Sequence, residues 1–469
     1  MTIRSVLIAN RGEIAVRVIK AAKALGIRTV QVYSAADADM QAVRLADEAV
    51  NIGPPAPKKS YLDIAAVIAA AKAAGVDAVH PGYGFLSENG DFADAVRDAG
   101  MIFIGPSGDA IRTLGDKVAA RQVAKRADVP TVPGSDGRVA GLDDARLLAG
   151  EIGFPLMIKA AAGGGGRGIR IADSIAELEQ QLPLASAEAL AAFGDGGLYL
   201  EKVIGRARHV EVQIFGDGQN FVHFFERECS LQRRRQKVWE EAPAFLLPAD
   251  IRERLCMSAV ALAREVGYCG AGTVEYLYDD ETGDFYFIEV NARIQVEHPV
   301  TEMITGFDLV QEMFKVAGGA VLSVAQRDIA VSGHAIECRI NAEDPFKAFQ
   351  PSPGMITSLS IPEGEGIRFD TMLYEGYTIP PFYDSLLGKL IVHAETREAC
   401  LEKLAAALAA LTIEGVPTTV PLHLALARAA IVATGAFHTR FLEQWLEHDF
   451  PASAGPRRSP DACAIYVRR

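Results

Sequence analysis

Between Ile288 and Glu297 the sequence alternates apolar and polar side chains, Ile-Glu-Val-Asn-Ala-Arg-Ile-Gln-Val-Glu, and few folds can satisfy both halves of that pattern at once. If the segment stays extended, a period of two puts Glu289, Asn291, Arg293, Gln295 and Glu297 on one face and Ile288, Val290, Ile294 and Val296 on the other. The apolar row asks for a core behind it. The polar row is costly to bury unless each group finds a partner, and its composition points to a divalent cation and an anionic substrate.

A second carboxylate belongs with this row. Gly272-Thr-Val-Glu275-Tyr-Leu reads as a strand, and the polar turn at residues 279–283 joins it to the strand ending near Glu289. Hairpin pairing then sets Glu275 opposite or diagonal to Glu289, on the same face. Glu275, Glu289 and Asn291 together offer the oxygen ligands that suit Mg²⁺.

Two further segments carry positive or permissive backbone chemistry. Lys159-Ala-Ala-Ala-Gly-Gly-Gly-Gly-Arg-Gly168 lies between two predicted strands, whereas a P-loop or a dinucleotide fingerprint runs strand, loop, helix. A run of small residues can close over phosphate oxygens beside Lys159, or can be a plain turn; four successive glycines lose enough freedom on ordering that a closing lid accounts for them better. The basic stretch Gln232-Arg-Arg-Arg235-Gln-Lys237 is either a solvated charge run or an anion site.

Charge and composition bound the remainder. A net charge of −13 repels a phosphate backbone, so neither nucleic acid nor an anionic membrane is an expected partner. No secretory h-region opens the sequence and no apolar run is long enough to span a bilayer, so the expectation is a cytoplasmic protein. The six cysteines are scattered and read as buried free thiols, and the nine histidines form no metal-binding cluster.

At 469 residues the chain exceeds a single core of roughly 100–200 residues. Strand and helix patterns alternate at the start, with strands at residues 5–10 and 29–33 around a helix at 13–25. A helix from about Ser60, with Asp63 as its capping partner, precedes the strand that leads to His80; a helix at 91–97 then precedes a strand at 101–104. This predicts a parallel sheet covered on both faces. A helix at 116–127 opens a second unit with strands at 156–159, 169–171 and 198–203, then strands at 210–215, 220–226, 273–278 and 285–290. A third unit runs from 334 to 450 with a helix at 398–411.

With these motifs in place, the chain resembles biotin carboxylases from about residue 3 to 445. The resemblance rests on Ile8-Ala-Asn-Arg-Gly-Glu-Ile14, His80-Pro-Gly-Tyr-Gly-Phe-Leu-Ser-Glu-Asn89, Gly115-Asp-Lys117, the glycine loop, the stretches 232–237 and 289–302, and Glu337-Cys-Arg-Ile-Asn-Ala-Glu-Asp-Pro345. It implies an α/β and α+β multidomain ATP-grasp fold: a Rossmann-like domain at 1–115, an ATP-grasp domain at 116–333 with a lid at about 132–203, a C-terminal domain at 334–450 and a tail at 451–469. It further implies ATP contacts from Lys117, Lys159, Gly165, Gly166, Glu201, Lys202, Ile204, His209, Gln232, Arg235, Glu275 and Glu289, and metal ligation by Glu275, Glu289 and Asn291. Lys237, Arg293, Gln295, Val296 and Glu297 correspond to a bicarbonate site, Tyr83 and Arg339 to a biotin site, and Arg293, Glu297, Lys237 and Arg339 to catalysis through carboxyphosphate.

The implied partners are a separate biotin carboxyl carrier protein, since no methionine in the chain is followed by lysine, carboxyltransferase subunits of an acetyl-CoA or other biotin-dependent carboxylase, and a second copy in a homodimer. Two positions depart from the family pattern: Arg235, where His or Asn is frequent, and Ala162, where a fifth glycine is common. Other ATP-grasp ligases share Lys117, Lys159, Glu275 and Glu289, and the Arg339 segment argues against them; a non-catalytic nucleotide-binding subunit is the remaining alternative, opposed by the complete charged row.

Overall fold

The computed structural model describes residues 2–135, 137–161 and 169–450. The glycine loop, with Ala162, Gly165 and Gly166, and the tail at 451–469 lie outside the described residues.

The N-terminal pattern forms a five-stranded parallel sheet, in the order Glu48–Asn51, Arg28–Tyr33, Ser5–Ile8, Ala78–His80, Ile102–Phe103. Alternate residues of its central strand enter different cores: Leu7 packs with Val30, Val32 and Val79, and Val6 and Ile8 pack with Ala15, Ile19 and Ala78. Both faces are therefore covered, as a parallel sheet requires. One helix starts later than its sequence implies. Asp63 is itself the N-cap of Ile64–Ala74, accepting from the Ala66 N–H at 3.0 Å, because the Ser60 hydroxyl donates instead to the Ala56 carbonyl.

Leu156–Ala160 pairs antiparallel with both Arg170–Ala172 and Leu198–Lys202, so the strands flanking the glycine-rich stretch are neighbours in one small sheet. Ala145 and Ala149 from one helix and Leu178, Leu182 and Ala185 from another cover that sheet.

The third layer is an eight-stranded antiparallel sheet in the order Phe285–Asn291, Cys269–Asp279, Ala207–Asp217, Phe221–Arg233, Gln236–Ala242, His334–Asn341, Leu386–Ala394, Ile367–Thr371. The sheet runs without a break through the boundary expected at 333, since Trp239 pairs with Cys338. Arg234 and Arg235, at φ 48° and 64°, make the two-residue turn that joins two of these strands. The extended segment expected to reach Glu297 is shorter. Its ladder ends at Asn291, and residues 292–297 curl into the helix His298–Thr305, whose first turn holds Pro299.

Of the described cysteines, Cys229, Cys256, Cys338 and Cys400 are buried, Cys269 is half-buried, and all five are free thiols.

Candidate functional site

The register of the central sheet places a row of ionised groups side by side. Glu289 pairs with Glu275, Glu275 with Glu211, and Glu211 with Arg227, four adjacent strands contributing one residue each to the same face. The hairpin expectation for Glu275 and Glu289 is thus met. Like charges directly across a ladder repel, so three neighbouring carboxylates can persist only among cations. Arg227, fully buried, donates from Nε to Glu211 Oε1 at 2.6 Å and from its other nitrogens to Gln213, Thr301, Thr273 and Gln295.

Lys237 is the centre of the arrangement. Its ammonium donates to Glu275 at 2.9 Å, to Glu297 at 2.7 Å and to Glu211. Burial alone would lower the lysine, but Glu211, Glu275 and Glu297 together hold it protonated well above its ordinary range. Burial would likewise raise Glu297, yet Lys237, Arg339 and Arg227 keep that carboxyl well below the usual range. Glu275 is also lowered, with Lys237 and His209 outweighing its burial. Glu289 differs from both: burial raises it, the negative charge of Glu275 raises it further, and Lys117 and His209 only partly offset this.

The polar alternation continues to do its job after the strand ends. Asn291 Nδ2 and Gln295 Nε2 donate to Glu275 Oε1 at 2.9 and 3.0 Å, and Arg293 donates from Nη2 to Asn291 Oδ1 at 2.9 Å and from Nε to Glu88 at 2.9 Å. Arg339 donates from Nε to Glu240 at 2.6 Å and from Nη2 to Glu297 Oε2 at 3.0 Å. These groups open onto a cavity of about 700 Å³, whose lining includes Tyr83, His209, Arg235, Lys237, Glu275, Glu289, Asn291, Arg293, Gln295, Val296, Glu297 and Arg339.

Other sequence-selected residues stand elsewhere. Lys159 pairs with Glu201, which Arg121 also holds at 2.6 Å, and Lys117 and Tyr199 line a smaller recess beside Arg121. The Lys202 ammonium turns away, onto the carbonyls of Ile152 and Phe154 at 3.3 and 3.4 Å. Ile204 is half-buried just beyond its strand. Gln232 is buried behind the cavity and donates to His209 Nδ1 at 2.8 Å, which leaves His209 Nε2 3.0 Å from Glu275. Sequence reasoning missed Glu211, Arg227 and Glu240. The alternation His209-Val-Glu211-Val-Gln213 carried a signal for the first; the other two read as ordinary members of charged runs.

The donor set fits a hard divalent cation. Glu289 has no hydrogen-bonding partner among the described residues, its neighbour is a second carboxylate, and the Asn291 amide oxygen lies on the same hairpin. His209, Glu211 and Glu275 also bring ligand atoms within 4.8 Å of one another, but the Lys237 ammonium already bridges Glu211 and Glu275.

Comparison with known proteins agrees over nearly the whole length. Residues 2–111 match the model of the biotin carboxylase N-terminal domain, 116–325 that of the carbamoyl-phosphate synthase L chain ATP-binding domain, and 337–444 that of the biotin carboxylase C-terminal domain. Biotin carboxylase 1 of Bacillus subtilis is 51% identical over 444 residues, covering 94% of this chain and 99% of the relative. Among solved structures, a biotin carboxylase–beta-gamma-ATP complex from Campylobacter jejuni superposes with a TM-score of 0.90 at 47% identity, covering 94% of this chain and 99% of the other. The biotin carboxylase domain dimer of Hydrogenobacter thermophilus 2-oxoglutarate carboxylase, in complex with MgADP, ADP and bicarbonate, gives 0.90 at 46% identity, covering 97% and 100%.

Proposed function

The chain belongs to the biotin carboxylase family, and from that premise we infer which side chain does what in the ATP- and bicarbonate-dependent carboxylation of biotin. The enzyme is an ATP-dependent carboxylating ligase with the ATP-grasp architecture of its relatives, and its chemistry uses ATP, a divalent cation, bicarbonate and biotin. The observation that carries the assignment of roles is the Lys237 ammonium among Glu211, Glu275 and Glu297, which joins the carboxylate row to the loop at 292–297.

In this reading Glu275, Glu289 and Asn291 hold Mg²⁺ or Mn²⁺, which when bound neutralises charge on the triphosphate. Lys117, Lys159, Gly165, Gly166, Glu201, Ile204, His209 and Arg235 receive the nucleotide. Gln232 acts by orienting His209, and Lys202 contributes through its backbone because its ammonium is engaged elsewhere. Lys237, Arg293, Gln295, Val296 and Glu297 receive bicarbonate; Tyr83 and Arg339 receive the ureido ring of biotin.

Glu297 is then the base. Burial would raise its carboxyl, but Lys237, Arg339 and Arg227 hold it well below the usual range, which makes it a weak proton acceptor while they grip it. A bicarbonate oxyanion that draws Lys237 and Arg339 toward itself releases part of that hold and raises the basicity of Glu297 when it is needed. The deprotonated bicarbonate oxygen attacks the γ-phosphorus, ADP leaves, and carboxyphosphate results. Its C–O bond breaks to give CO₂ and phosphate; the phosphate takes the proton from the biotin nitrogen, and Arg339 stabilises the resulting enolate, which captures CO₂.

The biotin is carried by a separate carrier protein that delivers it to carboxyltransferase subunits, and the enzyme works as a homodimer. The domain dimer of the Hydrogenobacter thermophilus relative supports the second point. No helix among the described residues is long and apolar enough to cross a membrane. Steady-state ATP hydrolysis by the purified chain with Mg²⁺ tests the reading: the rate is expected to require bicarbonate and to rise with free biotin, and a rate indifferent to both contradicts it.

A further inference from the structure

Lys389 is a lysine with nowhere to hide its charge. Its side chain is 0% exposed in the strand Leu386–Ala394, where an ammonium is costly unless it is paired. Its hydrogen-bond and ion-pair partners both lead to the large cavity, and Asp370 and Glu337 also feel its charge. The ammonium donates to the Val296 carbonyl at 2.8 Å and lies 3.2 Å from Glu13 Oε1. The same Glu13 oxygen accepts the Tyr83 hydroxyl. Val296 and Tyr83 line the cavity; Lys389 and Glu13 stand one layer behind them.

The arrangement spans three parts of the chain. Glu13 is in the first turn of the helix Gly12–Ala24, where the helix dipole favours a carboxylate, and its second oxygen is buried with no hydrogen-bonding partner among the described residues. Lys389 is in register with Arg339 on the neighbouring strand. These two cations address consecutive residues of one loop: Lys389 holds the backbone of Val296, and Arg339 holds the side chain of Glu297 at 3.0 Å. A buried ion pair is often worth no more to stability than an apolar pair of similar volume, and the contacts of Lys389 and Glu13 with the cavity walls supply a reason beyond stability.

We propose that Lys389 and Glu13 are positioning residues that tie the Tyr83 wall, where biotin is received, to the Val296–Glu297 loop, where bicarbonate is received, so that each subsite sets the geometry of the other; this rests on the roles assigned to Tyr83 and Val296 above. Loss of the Lys389 contact frees the Val296 carbonyl and leaves Glu13 to Tyr83 alone. Loss of the Glu13 charge frees Lys389 to shift, so a substitution that touches no part of the bicarbonate loop still disturbs it.

The test uses the full chain and compares Lys389→Met, Glu13→Gln and the double variant with the parent. ATP hydrolysis is measured with bicarbonate, free biotin and ATP varied in turn, and thermal unfolding is followed alongside. Lys389→Met is expected to raise the KM for bicarbonate and for biotin roughly ten- to hundredfold while the KM for ATP stays within about twofold. Glu13→Gln alone is expected to raise both KM values, and the double variant to be no worse than Lys389→Met, because the two residues act as one link. The double variant removes both buried charges and so remains informative if Lys389→Met fails to fold. Unchanged bicarbonate and biotin KM values in a folded double variant overturn the proposal, as do multiplicative single effects, or KM values for all three substrates rising together with the loss of thermal stability. A parent enzyme whose hydrolysis ignores bicarbonate overturns the site assignment first, and this coupling with it.

Discussion

In the N-terminal sheet, alternate residues of Ser5–Ile8 pass to apolar cores on either side; in the central sheet, Val210, Val212, Val274 and Tyr276 pack on one face while Glu211, Glu275, Glu289 and Arg227 crowd the other. The first sheet is held mainly by burial of hydrocarbon, which depends on area and volume rather than on the charge of any one partner. The second carries a network in which every charge is conditional on the others, and removing one strands the rest. The contrast fits the proposed division of labour, in which the parallel sheet supports and the antiparallel face holds charge for substrates that bring charge of their own.

The sharpest way to break this contrast is Glu297→Gln. Loss of the proposed base is expected to lower bicarbonate-dependent turnover by about 10²–10⁴-fold while the KM for ATP changes little, and kinetics with each substrate varied will show whether the two separate. Equal loss of nucleotide affinity would mean that the charged face acts as one structural block.

Next in size is a matched pair of stability measurements. Arg227→Met leaves Glu211 buried without its guanidinium and is expected to cost about 3–5 kcal/mol by chemical denaturation. Leu7→Ala, in the fully buried central strand of the other sheet, is expected to cost about 2–5 kcal/mol with substrate KM values unmoved. A charged-face variant as mild as a surface substitution would remove the distinction.

Acid sensitivity separates the regions further. Glu241, bound by Arg397 at 2.6 and 3.0 Å, is buried, which would raise it, but Arg397 and His334 bring it from the ordinary 4.5 down to about 2. A folded-state value below the unfolded one contributes stability above pH about 4.5 and loses it as the pH falls toward 2. The stability gap between the parent and Glu241→Gln is therefore expected to be about 3 kcal/mol at neutral pH and to shrink through that window. The smallest effect belongs to the N-terminal region: Asp63→Ala removes a helix cap and is expected to cost about 1 kcal/mol, read by thermal unfolding.

What was legible in the sequence follows the same divide. Periodicity located four of the five strands of the parallel sheet, and the helices between them, to within a few residues, since each needs only an apolar face; the edge strand Glu48–Asn51, with no buried side chain, carried no such signal. The Glu275–Glu289 pairing was legible because a short polar turn joins the two strands. The strand end at Asn291 was not: alternation reports which way side chains face, and here the polar row persists through a turn that has left the ladder. Arg227, Lys389 and Glu13 were illegible as site partners because their bonds to Gln295, Val296 and Tyr83 join residues 68, 93 and 70 positions apart, and tertiary packing, which local periodicity does not report, decides them.

The account stands on bicarbonate meeting the γ-phosphate beside Lys237 and Glu297. Turnover with ¹⁸O-labelled bicarbonate, followed by mass analysis of the inorganic phosphate released, tests that meeting directly. One label atom in each phosphate is predicted, because the attacking oxygen stays on phosphorus when the C–O bond breaks; phosphate free of label would contradict it.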